Sequence, residues 1–343
     1  MMKIKLTDYK RFFEVKWAPF VVSSIFQHIY HNMNAIVINK SKNIWLYLTK
    51  EKIYETEKEG LSIYWNDKLF NKYSEEFTSL LEQSYNKLDT IIDSEKITQK
   101  DIKNFFDIIF IFFDFYRKTE FFYTDKAYKS ELKIVKNNLE KMQKLKFKWR
   151  TLLNNIFLGS KCYLYVFIKI LAIQNNISYE SLLNSFYFDI INIKKTDHKN
   201  IIDYILIWNQ YLALTDLDIE HEDSKIDNNI IKWQIANKGI LKWYVRVIEP
   251  DYDNFDSVND ELLKIKEWEI LVCESTSPEL MLAFEKISAV ITNQWWMGSH
   301  AAILSREFNI PCIVWTWNAS KILKSWDYVL LNANEWFVKK INQ

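Results

Sequence analysis

Apolar residues recur every three or four positions through most of the first two hundred residues. FTSLLEQSYNKLDTII (77–92) and IKNFFDIIFIFFDFY (102–116) have this spacing, and ELKIVKNNLEKMQKLKFK (131–148) repeats it on a long basic segment. YLYVFIKILAIQNNI (163–177) and YESLLNSFYFDIINI (179–193) continue it. Such a period gathers apolar side chains on one face of an α-helix, so residues 1–215 are expected to be mostly helical. Ser178 stands at the N-cap position of the last of these helices, and Glu180 falls in its first turn, where the helix dipole favours an acid. Strand patterning is limited to IWLYLT (44–49) and IIDYILI (201–207). The many aromatic residues on these faces read as core packing.

DLDIEHEDSKIDNN (216–229) is acidic, polar and nearly free of apolar periodicity, which predicts a linker or exposed loop. Beyond it the period changes. IKWQIANKGILKWYVRVI (231–248) alternates and contains Asn237-Lys238-Gly239, a hairpin signal. EILVCES (269–275), AVITNQ (289–294), CIVWT (312–316), YVLLNAN (328–334) and FVKKI (337–341) read as strands. SPELMLAFEK (277–286), HAAILSREF (300–308) and ASKILK (319–324) read as helices between them. The expected fold class is α+β: a mostly α-helical domain over 1–215, a linker over 216–230, and an alternating β/α domain over 231–343.

Composition narrows the function classes. Forty-five basic and 44 acidic residues leave a formal charge of +1, which gives no argument for a nucleic acid or anionic membrane partner. The three cysteines, Cys162, Cys273 and Cys312, are far apart and form no CxxC pair. That argues against a disulfide framework or a metal site and fits a reducing cytoplasm. The first residues lack the apolar core of a secretory signal. FFDIIFIFFDF (105–115) is too short to span a bilayer and carries Asp107 and Asp114. One count is abnormal: the chain has 4 Gly and 14 Trp, whereas about 7% glycine, roughly 24 residues, is usual.

The stretch NQWWMGSHAAILSREFNIPCIVWTWNAS (293–320) carries the candidate chemistry. A buried strand runs into a tight turn, and a helix begins at or next to His300. A helix N-terminus leaves backbone N–H groups unpaired, bears partial positive charge and binds phosphate readily. A histidine there can take phosphate on a ring nitrogen, and the same field disfavours imidazolium, keeping the ring neutral and nucleophilic. On the residues alone, a partly buried histidine that merely starts a helix is the favoured reading.

MGSHAAILSREFNIPCIVWT resembles the phosphohistidine segment of the phosphoenolpyruvate synthase and pyruvate phosphate dikinase family, whose PEP-utilising mobile domain swivels. Ser299-His300-Ala301-Ala302-Ile303-Leu304, Ser305-Arg306-Glu307 and Ile310-Pro311 match its pattern. CESTSPELMLAFEKISAVIT resembles its Thr/Ser-Pro segment, with Thr276, Ser277 and Pro278, and KSWDYVLLNANEWFV its closing hairpins. The resemblance covers about residues 231–343. It implies a β/β/α phosphohistidine domain with His300 as transient nucleophile. It implies phosphate contacts from Gly298, Ser299 and Ala301, and supporting roles for Thr276, Ser277 and Arg306. Gly298 stands where many members have Thr, so one hydroxyl near the phosphate is missing.

The resemblance also addresses the tryptophans. Trp295 and Trp296 fall on the family's glycine pair. Trp315 and Trp317 follow the next strand at glycine positions, and Trp233, Trp243, Trp268, Trp326 and Trp336 fall on others. Glycine serves where φ is positive or backbones approach closely, and another residue held there costs roughly 1–2 kcal/mol. Some bacteria read UGA as glycine while other codes read it as tryptophan. A gene of the first kind translated with the second code would yield this pattern. The opposing reading takes the tryptophans as real, forming an aromatic binding face.

In this family the His domain moves between an ATP-grasp module, which phosphorylates the histidine, and a site that uses the phosphate. This chain shows no glycine-rich nucleotide loop, even with Trp standing for Gly. The resemblance therefore implies no cofactor bound by this chain, with ATP and Mg²⁺ on an ATP-grasp partner of the pyruvate-binding type acting in trans. The acceptor is pyruvate or another small molecule, held by residues 1–215 if the likeness in domain order to rifampicin phosphotransferase-like enzymes extends that far. No barrel-sized region follows residue 343, so a full dikinase cycle is not expected of this chain alone. The other function class is a non-catalytic docking protein with a degenerate phosphohistidine domain.

Overall fold

The computed structural model describes residues 2–6, 8–15, 19–30, 34–40, 43–122, 130–193, 203–207, 210–213, 217–220, 230–232, 234–249, 260–274, 281–293, 300–314, 316, 318–335 and 337–341. The chain forms two compact units, Met1–Glu222 and Asp223–Gln343.

The first unit runs β1 (Met2–Lys5), β2 (Tyr9–Val15), α1 (Phe20–Ile29), β3 (Ile36–Lys40), β4 (Asn43–Thr49), α2 (Lys50–Tyr64), α3 (Asp67–Ile92) and α4 (Gln99–Phe122). It continues with α5 (Lys133–Phe157), α6 (Tyr163–Asn175), α7 (Tyr179–Leu183), α8 (Tyr187–Ile191), β5 (Tyr204–Ile207), β6 (Gln210–Ala213) and β7 (Leu217–Glu220). The expected helices are present, and their buried faces follow the sequence period. In α3 the buried residues are Phe70, Tyr73, Phe77, Leu81, Ser84, Leu88 and Ile91, each three or four positions from the next. Phe77 stacks on Trp149 of α5, and Phe105 of α4 stacks on Phe167 of α6 with ring centroids 3.8 Å apart. Asn66 caps α3 by accepting from the Leu69 N–H at 3.1 Å. Thr98 and Asp101 cap α4 reciprocally.

Three features differ from expectation. The strands at 44–49 and 204–207 belong to a five-stranded antiparallel sheet, ordered β2-β4-β3-β5-β6, so three further strands escaped the pattern. The 179–193 segment is two short helices, and Ser178 occupies the N-cap of the first without a side-chain capping bond. Within the stretch read as a linker, β7 pairs in parallel with β1; residues 221–229 lie outside the described residues.

The second unit runs β8 (Ile230–Lys232), β9 (Gln234–Asn237), β10 (Ile240–Ile248), β11 (Ile270–Cys273), α9 (Met281–Phe284), β12 (Ala289–Thr292) and α10 (His300–Glu307). Then come β13 (Cys312–Val314), α11 (Ala319–Ile322), β14 (Tyr328–Asn332) and β15 (Phe337–Lys340). The strands form one sheet ordered β8-β15-β14-β10-β11-β12-β13-β9. β8 and β9 stand at its two ends, yet one residue separates them in sequence. Consecutive Cα atoms are about 3.8 Å apart, so the sheet curls until its ends meet.

β10, β11, β12 and β13 are mutually parallel. The central strands are buried on both faces, as their unbroken apolar runs require. Leu271, Cys273, Val290, Cys312 and Val314 point into the core beneath α10, with Ala301, Ala302 and Leu304. Ile270, Val272, Ala289, Ile291 and Ile313 point into the opposite core, with Ala319, Val329 and Leu331.

The hairpin expected at 231–248 is not formed. β9 pairs with β13, while β10 pairs with β14 and β11. Gly239 redirects the chain with φ +149°, and the Pro311 ring fills the space a Cβ there would need. The Gly239 N–H donates to Asn334 Oδ1 (3.1 Å), and its carbonyl accepts from the Ala333 N–H (2.8 Å). The turn is thereby a crossing between strands that are not partners.

Candidate phosphohistidine site

Because β10 to β13 are parallel, their carboxyl ends share one edge of the sheet. The chain leaves that edge after Cys273, after Thr292 and after Val314, the side on which open parallel sheets bind ligands. His300 is the first residue of α10, which follows β12. The N-terminus of this helix therefore contributes unpaired N–H groups and partial positive charge where His300 begins.

The helix is fixed from behind. Ala301 and Ala302 are fully buried. Asn237 Nδ2 donates to the carbonyls of Ser305 (3.1 Å) and Ile310 (2.9 Å), and Arg306 Nε donates to the Ala236 carbonyl (3.1 Å). Arg306 thus braces α10 on β9. The far end closes with Asn309 in the left-handed region, φ 52°, and the Ile310 N–H bonded to the Ser305 carbonyl at 2.9 Å. Ser305 Oγ donates to the Ala302 carbonyl at 3.0 Å. Burial pushes the Cys312 thiol up to about 12, so it packs under the helix as a neutral apolar group.

Gly298, Ser299, Thr276, Ser277, Trp295, Trp296, Trp315 and Trp317 lie outside the described residues, as do Trp233 and Trp336. Of the remaining assigned glycine positions, two have the expected backbone: Trp268 has φ 71° and Trp326 has φ 78°. Each sits in a turn leading into a strand, and their N–H groups donate to the carbonyls of Lys286 and Val245, both at 2.8 Å. Trp243 differs. It lies inside β10, opposite Val329, and requires no positive φ. Among the described residues, no cluster of three or more His, Cys, Asp or Glu is arranged to hold a metal.

The sequence reading missed a buried polar group at this edge: Glu274, Asn293, Thr316 and Ser320. The available signal was a polar residue directly after an apolar strand, in Cys273-Glu274 and again in Thr292-Asn293. Thr316 joins the ends of β12 and β13, with both its N–H and its Oγ1 donating to the Thr292 carbonyl at 3.0 Å.

Residues 265–335 match the family model of the PEP-utilising enzyme mobile domain. This segment of the chain is similar to that domain. Its match contains His300, α10 and the three strand ends just described. A probable phosphoenolpyruvate synthase of Pyrococcus horikoshii is 42% identical over 111 residues, 32% of this chain and 12% of that protein. The phosphoenolpyruvate synthase of Pyrococcus furiosus is 37% identical over 121 residues, covering 35% and 14%. That of Deinococcus radiodurans is 36% identical over 91 residues, covering 26% and 11%. The mobile-domain match thus spans a small part of these relatives. No helix among the described residues is long and apolar enough to cross a membrane.

Proposed function

We propose that this chain is a phosphotransferase component of the phosphoenolpyruvate synthase type, carrying a phosphoryl group on His300. The observation that carries this reading is that His300 opens α10 at the carboxyl edge of four parallel strands, within the matched domain. A neutral ring nitrogen gives its lone pair to phosphorus, and the bond from phosphorus to the donor's leaving oxygen breaks. The helix N-terminus and the N–H groups of Gly298, Ser299 and Ala301 offset the new anionic charge. Thr276 and Ser277 support the loop. The phosphoryl group then passes to a small-molecule acceptor such as pyruvate.

The donor site belongs to an ATP-grasp partner acting in trans in the cytoplasm, where Mg²⁺ neutralises the transferring phosphate. Residues 1–215 hold the acceptor or dock a partner. Glycine is the natural residue at the Trp positions of the loop and at Trp268 and Trp326. The positive φ of the last two supports this.

The test compares the protein with His300→Ala, each incubated with labelled ATP, Mg²⁺ and extract of the encoding organism. The reading expects acid-labile label on the unaltered chain and none on the variant. Equal labelling of both chains, or none on either, contradicts it.

A further inference from the structure

Asn293 is the last described residue before the six-residue segment 294–299 that leads to His300, and it is almost wholly buried. Its side chain uses every hydrogen-bonding position an amide has, two donors and two acceptor sites. Nδ2 donates to Glu274 Oε2 at 2.9 Å and to Ser320 Oγ at 2.7 Å. Oδ1 accepts from the Ser320 N–H at 3.1 Å and shares the one hydroxyl hydrogen of Thr316 with the Thr292 carbonyl, Thr316 Oγ1 lying 3.2 Å from Oδ1. Its own N–H donates to the Cys273 carbonyl at 3.1 Å. One side chain therefore ties the exit of β12 to the exit of β11, the residues after β13, and the start of α11.

A core amide in this position needs a reason, because an apolar residue would avoid the desolvation cost of a buried polar group. The network lies where the chain turns out of the sheet toward His300, whereas the strands below it are held by ordinary apolar packing. We infer that Asn293 is a positioning residue for His300, locking the root of the 294–299 segment to the neighbouring strand ends. This rests on the phosphocarrier reading of His300. Small displacements of a reacting group are costly, on the order of 100-fold for about 1 Å. A fixed root matters more for a nucleophile that must meet an incoming phosphorus in line than for the stability of the sheet.

The arrangement makes a specific demand. The atom of Asn293 facing Glu274 must be a donor. Asn293→Asp keeps the shape but turns that atom into a carboxylate oxygen against the Glu274 carboxylate, and like charges disfavour each other there. Asn293→Asp combined with Glu274→Gln reverses donor and acceptor and restores the bond. The Ser320 hydroxyl can rotate to donate instead of accept.

The experiment uses the full chain and potassium phosphoramidate, a chemical donor that needs no partner. The imidazole nitrogen bonds to phosphorus, the phosphorus–nitrogen bond breaks, and ammonia leaves with a solvent proton. Acid-free mass spectrometry follows the rate at His300, with a histidine-containing reference peptide in the same tube. Asn293→Asp is expected to slow His300 labelling on the order of 10- to 100-fold, and the double variant to return it close to the unaltered rate. Thr316→Val, which removes one bond of the network, gives a milder slowing and serves if Asn293→Asp does not fold. Unaltered rates in Asn293→Asp or in Thr316→Val would overturn the inference and leave the carrier reading standing. A slowed double variant would also overturn it, reducing Asn293 to general packing. If the reference peptide takes label and His300 of the unaltered chain takes none, the carrier reading fails and this inference falls with it.

Discussion

The Arg246 guanidinium holds the Glu269 carboxylate through two hydrogen bonds, Nε to Oε2 at 3.1 Å and Nη2 to Oε1 at 3.0 Å. Both side chains are buried, Glu269 precedes β11, and the Lys266 N–H donates to the same carboxylate at 3.0 Å. The pair thus closes the end of the sheet opposite the edge from which the chain leaves toward His300. Removing one member leaves the other charge buried without its partner. Glu269→Ala is expected to destabilise the second unit by about 3–5 kcal/mol, read as a lower urea midpoint.

Gly239 answers to Pro311. A Cβ at 239 would collide with the proline ring, and φ +149° is unfavourable for any L side chain. Gly239→Ala should lower stability by roughly 1–3 kcal/mol from the backbone alone, with more from the collision. Adding Pro311→Ala should recover the collision part only. Urea denaturation of the single and double variants separates the two contributions, and full recovery in the double variant would refute a backbone cost.

The tryptophans divide by backbone. At Trp268 and Trp326, with positive φ, a change to glycine should remove a cost of roughly 1–2 kcal/mol. At Trp326 this is partly offset, because its ring lies 4.5 Å from the Arg246 guanidinium, a contact contributing about 0.5–1 kcal/mol. At Trp243, in mid-strand, glycine should instead cost about 0.5–1 kcal/mol. Thermal melts of the three variants should therefore move in two directions. A uniform shift would remove the backbone argument.

Cys162, Cys273 and Cys312 are buried thiols. Burial pushes Cys312 up to about 12 and raises Cys273 as well. A thiol raised in the folded state keeps its proton there but loses it in the unfolded chain above about 8.5. Its contribution to stability is complete below that value and is lost as pH climbs toward about 12. At pH 8 the folded protein should react with iodoacetamide at neither Cys273 nor Cys312, and at both once unfolded. Rapid modification of the folded chain would contradict the packing described.

Much of this was legible in the residues, for identifiable reasons. α3 and α4 could be read because one face of each is apolar along its whole length. The strand before residues 294–299 and the helix that His300 begins could be read because the short strand AVIT stops abruptly ahead of a helix that starts with small residues. The strands Tyr9–Val15 and Ile36–Lys40 could not, since charged and amide residues break the apolar pattern in YKRFFEV and IVINK, and β3 pairs with β5 across the whole helical region. The hairpin at 237–239 misled because its glycine answers to Pro311 rather than to a two-residue turn. The Asn293 network was invisible because its partners are far apart in sequence, after β11, after β13 and at the start of α11. Trp149 was unassignable by pattern. Its ring is fully buried, its indole N–H has no hydrogen-bond partner among the described residues, and its centroid is 3.2 Å from that of Phe77, a crowding only coordinates reveal.

The central claim is that His300 carries phosphate on a glycine-rich loop. The most direct measurement is an acid-free fragment spectrum of the native protein's peptide 287–306. The account predicts glycine at 295 and 296 and phosphate on His300. Tryptophan at both positions with an unmodified His300, even after incubation with ATP and cell extract, would contradict it.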